Sequence, residues 1–236
     1  MLFRSIPRAA DDADLLRCAE HAGFRISDYG YVARVGSLVA YRDTRHRSAS
    51  KGTYTTDFVE VPLVWATDIT PDGKFEHGRK NRQSRTSSFV RFSDLSDPGV
   101  LTEPVVLLQR LTASNQRSRI VAAAVPKSWV RKHGGFVCEN HVIVLEPTRN
   151  DAMPTDLMAA VLNTVSVNRI FRSICGASNV AISELNELSL PDPKLFSSCD
   201  HRQSNLAEVV KAAYEIHASS HAPRVNQAAV GNGRSH

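Results

Sequence analysis

Apolar positions along this chain fall in short blocks separated by two long polar stretches. Leu15, Leu16, Ala19 and Ala22 recur at helical spacing behind Asp11, Asp12 and Asp14. The pattern predicts a short helix with carboxylates at its positive end and Gly23 at its stop. Residues 29–36 and 37–41 read as short strands punctuated by glycine. The run 59–66 is strand-like but carries Pro62, which predicts an edge strand at best. Residues 105–109 and 119–125 form two further strand-type runs, and 126–133 a short helix stopped by Gly134-Gly135. Residues 136–138 and 142–145 are strand-like on either side of Glu139-Asn140-His141. After Pro147 the period changes. Leu157, Val161, Val165 and Asn168 predict one helix over 157–171, and residues 182–188 a further turn of helix. Asn205 and Glu208 sit as a capping pair before Leu206, Val209, Val210, Ala213 and Tyr214. From Ala218 the tail is Ser, His, Asn, Gly and Ala, and its composition predicts disorder. The predicted fold class is α+β, a twisted mixed β-sheet followed by a helical C-terminal part.

The polar stretches change the picture because their charges are mostly of one sign. Residues 42–58 hold Arg42, Arg45, Arg47 and Lys51. Residues 68–91 hold Lys74, Arg79, Lys80, Arg82 and Arg85 with Asn81 and Gln83, around a Pro71-Asp72-Gly73 turn. No acidic residue lies between Glu103 and Glu139, a strip that carries Arg117 and Arg119 in a polar turn and Lys127, Arg131 and Lys132 beyond it. A folded surface usually interleaves both signs, so one-signed stretches point to an anionic partner. The whole chain, 236 residues with net charge +5 and pI about 9.2, fits a nucleic-acid binder without requiring one. Its hydrophobic fraction of 42% is enough for a sizeable core.

Chemistry is harder to find. The four cysteines, Cys18, Cys138, Cys175 and Cys199, form no Cys-x-x-Cys pair and read as reduced thiols of a cytoplasmic protein. No apolar run approaches the length of a membrane span, and the N-terminus lacks a signal-peptide pattern. Glu139-Asn140-His141 invites a metal or nuclease reading, but no convergent set of carboxylates accompanies it. No catalytic and no metal-ligating residue is assigned. Gln109 and Arg110 close an apolar strand and read as structural polar groups, and Trp65 and Trp129 read as core.

Four segments in order carry a resemblance: Gly36-Ser-Leu-Val39; Leu108-Gln-Arg-Leu-Thr-Ala-Ser-Asn-Gln-Arg-Ser-Arg119; Gly134-Gly-Phe-Val-Cys-Glu-Asn-His141; and Leu162-Asn163 with Phe171-Arg172, then Gly176 to Leu185 and on to Leu190-Pro191. Together they resemble the C-terminal target-recognition domain of adenine-specific DNA methyltransferases of restriction–modification systems. The last is also similar to the specificity subunits of type I systems. The resemblance spans residues 24 to 193. The chain departs from it in lacking a glycine-rich S-adenosylmethionine loop and an Asn-Pro-Pro-Tyr-type motif; no proline here is followed by another. Leu111 also stands where the family often has threonine. The resemblance therefore covers the reading half of such an enzyme, as a fragment or as a separate specificity polypeptide.

It implies a division of the chain into 1–23, a helix or linker from a preceding catalytic domain; 24–150, a β-rich target-recognition domain; 151–217, a helical part; and 218–236, a tail. It implies double-stranded DNA and a methyltransferase catalytic domain or subunit as partners, with S-adenosylmethionine on that missing domain. The expected DNA-binding residues are Arg42, Arg45, Arg47, Lys51, Lys74, Arg79, Lys80, Asn81, Arg82, Gln83, Arg85, Arg117 and Arg119, since cations hold phosphates while Arg, Asn and Gln can read base edges. A self-contained restriction-type endonuclease and an RNA- or protein-binding scaffold are the alternatives.

Overall fold

The computed structural model describes residues 12–52, 57–79, 87–112, 118–175, 179–200, 202 and 205–221. In chain order the elements are helix α1 (Asp12–His21), a 3-10 turn (Ile26–Tyr29), β1 (Tyr31–Val35), β2 (Arg47–Ser48), β3 (Val59–Val64), a 3-10 turn (Ala66–Asp68) and β4 (Phe89–Phe92). There follow β5 (Val106–Gln109), β6 (Ala122–Ala124), α2 (Lys127–His133), β7 (Val137–Cys138) and β8 (Val142–Pro147). The remainder is α3 (Thr155–Leu162), α4 (Val165–Ile174), α5 (Ile182–Asn186), a 3-10 turn (Pro193–Phe196) and α6 (Leu206–His221). The class is α+β, with the strands divided between two sheets, ordered β1-β8-β5-β6 and β2-β4-β3-β7. The first is antiparallel throughout. In the second, β3 pairs antiparallel with β4 and parallel with β7.

The layers follow from strand alternation. Val106, Leu108, Ile143 and Leu145 face a core built with α1, α3, α4, α5 and α6. Leu107, Val142 and Val144 face the other way, onto Val64, Val130, Phe136 and Cys138. The first sheet is thus buried on both faces, which is why residues 105–108 and 142–145 read as unbroken apolar runs. A third cluster, Leu38, Val61, Leu63, Val90, Phe92 and Val137, covers one face of the second sheet. Helix α1 packs on α4 and α6 and belongs to the helical layer. Among the described residues no helix is long and apolar enough to cross a membrane.

Several elements differ from their sequence pattern. β3 is flanked on both sides despite Pro62. Leu63 N donates to Ser88 O at 2.8 Å, so the odd-numbered residues of β3 bond β4 and the even-numbered ones face away. β7 joins only alongside Leu63 and Val64, so the missing Pro62 N–H falls just before that pairing and removes no ladder bond. Residues 37–41 are not a strand; Leu38 makes a single bridge to Glu139. The expected helix over 157–171 is broken into α3 and α4 at Asn163-Thr164. There the Asn163 amide leaves the helix to bond Ala122, accepting from N at 2.9 Å and donating to O at 2.7 Å. At the other end of the chain α6 runs through His221, past the boundary at 218 that composition suggested; residues 222–236 lie outside those described.

Candidate nucleic-acid interface

The second sheet brings the two basic segments together. β2 pairs antiparallel with β4, Arg47 opposite Val90 and Ser48 opposite Phe89. Ser88 N donates to Ser48 O at 2.8 Å, and Arg91 N to His46 O at 3.0 Å. Segments some forty residues apart therefore share one sheet edge, with β2 as its outer strand.

Two carboxylates hold these segments in shape. Glu60 on β3, almost fully buried, accepts from Gly52 N and from Arg91 Nε at 2.9 Å, while the Arg91 guanidinium lies 4.0 Å over the Phe58 ring. Burial pushes the Glu60 carboxyl up, but the bonds from Gly52 and Arg91 outweigh it and hold it below the usual range. Asp68, only 1% exposed, accepts from three backbone groups: Trp65 N at 2.9 Å, Gly78 N at 2.9 Å and Arg79 N at 3.1 Å. Here burial outweighs those bonds and pushes the carboxyl up. Asp68 closes the loop that presents Arg79, and Trp65 Nε1, donating to Ser87 O at 2.8 Å, holds the chain where it re-enters β4.

Beside Phe89 lies a group of half-buried rings. His77 sits 5.7 Å from Phe89, 5.3 Å from Trp129 and 6.4 Å from His133, and Trp129 lies 4.8 Å from Phe75. His77 Nε2 is 3.1 Å from the Ser88 carbonyl, which makes Nε2 the protonated nitrogen. Burial, then Lys51, His77 and Lys132, push the His133 pKa down. The basic end of α2, Arg131-Lys132-His133, thus comes near Lys51. Sequence reasoning left α2 out of the interface. The signal lay in its three consecutive basic residues, but its neighbourhood is set by packing alone.

The expected contacts divide. Arg42 is exposed, its guanidinium 5.2 Å from the Tyr41 ring centre. Arg47, on the edge strand, has no ion-pair partner among the described residues. Arg45 is engaged internally: it bonds Asp43 at 2.9 Å, lies 3.6 Å from Asp97 and stacks 4.1 Å from the Phe92 ring. Strand alternation puts Arg47 and Val90 on one face of the sheet, with Arg91 and Phe89 on the other. Lys51 is half-buried near His133. Lys74 pairs with Asp72 at 2.8 Å, and Arg79 pairs with Glu76 at 3.2 Å, both at the surface, where such pairs exchange readily for phosphate. Arg119 donates to Thr112 O at 3.2 Å and Thr112 Oγ1 at 3.0 Å, a structural engagement. Lys80, Asn81, Arg82, Gln83, Arg85 and Arg117 lie outside the described residues.

The four segments that carry the resemblance meet around Arg110. Gly36 N donates to Val142 O at 2.8 Å, Asn140 N to Leu38 O at 2.9 Å, Arg110 N to His141 O at 3.0 Å and Val180 N to Arg110 O at 2.8 Å. Arg110 Nη1 donates to Asn140 O at 3.0 Å, and Gln109 Nε2 to Ile69 O at 2.7 Å. Both side chains are structural, as their position at a strand end suggested. A Cβ on Gly36 would come within 2.2 Å of Glu139 O, so this joint closes only around glycine. Glu139, buried, accepts from His141 N at 2.9 Å and lies 2.6 Å from His141 Nδ1. Among the described residues no three His, Cys, Asp or Glu are placed to hold a metal ion. No family model matches the chain, and no curated protein matches it.

Proposed function

We propose that this chain is a sequence-specific double-stranded DNA recognition module. In this reading it serves an adenine-specific methyltransferase of a restriction–modification system and positions the target adenine for a separate catalytic domain that binds S-adenosylmethionine. The observation that carries the reading is the pairing of β2 with β4, which gathers two basic segments onto one sheet edge. The convergence of the four family-like segments at the Arg110 joint supports the assignment to that class, because those segments then form one supporting structure rather than scattered similarities. Buried carboxylates at Glu60 and Asp68 support it too, since a reading loop needs a fixed shape before base edges can be discriminated.

Duplex binding followed by fluorescence anisotropy over a salt series tests this. Affinity is expected to fall steeply with salt, as counterion release from phosphates requires. Replacing Arg42 and Arg47 by alanine should weaken binding to all sequences alike and lower the salt slope by about one for each phosphate no longer neutralised. An affinity that ignores salt, or RNA outcompeting duplex DNA, sinks the proposal. Magnesium-dependent cleavage abolished at Glu139 would favour an endonuclease instead.

A further inference from the structure

Tyr41 is 78% exposed, far more than any other large hydrophobic side chain described in the chain. It is held out on a turn with little freedom. Arg42 N and Asp43 N both donate to Val39 O at 2.9 Å, and Leu38, immediately before, is fully buried and bonded to Cys138 O at 3.1 Å. The turn's far side is fixed by Asp43, whose carboxylate takes Arg45 N at 2.9 Å and the Arg45 guanidinium, itself stacked on Phe92. An aromatic ring displayed on a rigid turn loses little conformational entropy when a partner covers it.

The charge around the ring selects the partner. Arg42 sits over Tyr41, while the nearby carboxylates Asp43 and Asp97 are taken up by Arg45. The ring therefore stands beside the exposed Arg42 guanidinium, the combination that meets a nucleic-acid strand: a π-surface for a base and positive charge for its phosphate. A closed duplex shows base edges in its grooves and hides ring faces inside the stack. A stacking residue must then meet a base whose step has been opened.

We propose that Tyr41, backed by Arg42, stacks on an unstacked nucleobase of the bound DNA. This rests on the DNA-recognition reading above and adds a residue and a DNA state to it.

The test uses the full chain and two labelled probes: a short random-sequence duplex, and the same duplex with one unpaired 2-aminopurine bulged at its centre. The wild-type protein should bind the bulged duplex several-fold more tightly and quench the 2-aminopurine emission. Tyr41→Ala should remove the quenching and weaken bulged-duplex binding about tenfold, the order of one base stack, and leave fully paired binding nearly unchanged. Tyr41→Phe should behave as wild type. Because the side chain is exposed, the unfolding midpoints of both variants should match the parent, which checks that they fold. Equal affinity for the two probes overturns the stacking contact and leaves DNA recognition standing. So does a Tyr41→Phe defect as large as that of Tyr41→Ala, which would assign the contact to the hydroxyl. Binding of neither probe overturns the recognition reading itself and this contact with it.

Discussion

Glu60 and Asp68 are both buried carboxylates in the basic half of the protein, and their ionisation is pushed in opposite directions. At Glu60 the bonds from Gly52 and then Arg91 outweigh desolvation, whereas at Asp68 desolvation outweighs the bonds from Trp65, Gly78 and Arg79. The signs carry over to stability. With its folded pKa lowered, Glu60 contributes stability that is present above the ordinary glutamate value of 4.5 and is lost as pH falls through the folded value. Asp68, raised above the ordinary 3.8, contributes the reverse: stability present below that value and lost as pH rises through the folded one. Glu60→Gln should therefore cost about 1–3 kcal/mol near neutral pH. The gap to wild type should close as pH falls below 4.5. Urea midpoints across that range measure it, and a gap that widens on acidification contradicts the assignment. The sequence marks neither residue as an anchor, because apart from Trp65 N, three positions from Asp68, the groups they hold lie eight to thirty-one positions away.

The apolar runs at 105–109 and 119–125 yield β5 and β6, and two asparagines cover the free edge of β6 and the residues leading into it. Asn163 pairs with both backbone groups of Ala122. Asn168 Oδ1 accepts from Arg119 N and Ile120 N, each at 2.8 Å, while its Nδ2 donates to Leu162 O and Thr164 O. One side chain thus ties the sheet edge to the end of α3. These bonds protect an edge that would otherwise be free to pair with another chain. They also explain the interruption at Asn163-Thr164, which helical periodicity alone does not show. Asn168→Ala should destabilise the fold by about 1–3 kcal/mol, since the backbone N–H groups of Arg119 and Ile120 lose their acceptor. Asn168→Asp should cost at least as much, because it keeps the acceptor but sets a charge against two carbonyls. Denaturant unfolding of both variants checks this; an Asp variant as stable as the parent would show that the carbonyl contacts do not matter.

At the scale of the whole molecule, the helical layer and the first sheet form a support, and the second sheet carries the charged edge away from it. On the proposed reading the chain by itself should give no calorimetric signal with S-adenosylmethionine; micromolar binding would overturn the proposed division into reader and catalyst. Element type was largely legible from the chain. The apolar blocks, the shift to helical spacing after Pro147, the stop at Gly134 and the structural character of Gln109 and Arg110 all reflect local sequence. A doubly covered strand is apolar throughout, and a helix end needs its glycine wherever the segment is placed. The fate of each cation was not legible. Arg45 pairs with Asp43 and Asp97, Arg91 pairs with Glu60, and Arg119 is turned inward onto Thr112, whereas Arg42 is exposed beside Tyr41 and Arg47 lies on the edge strand. Whether a charge is neutralised depends on which distant residue folding sets next to it. The sequence by itself determined the strands, helices and basic segments through local periodicity and composition. Only the tertiary structure decided, through long-range pairing, which basic side chains remain for a partner.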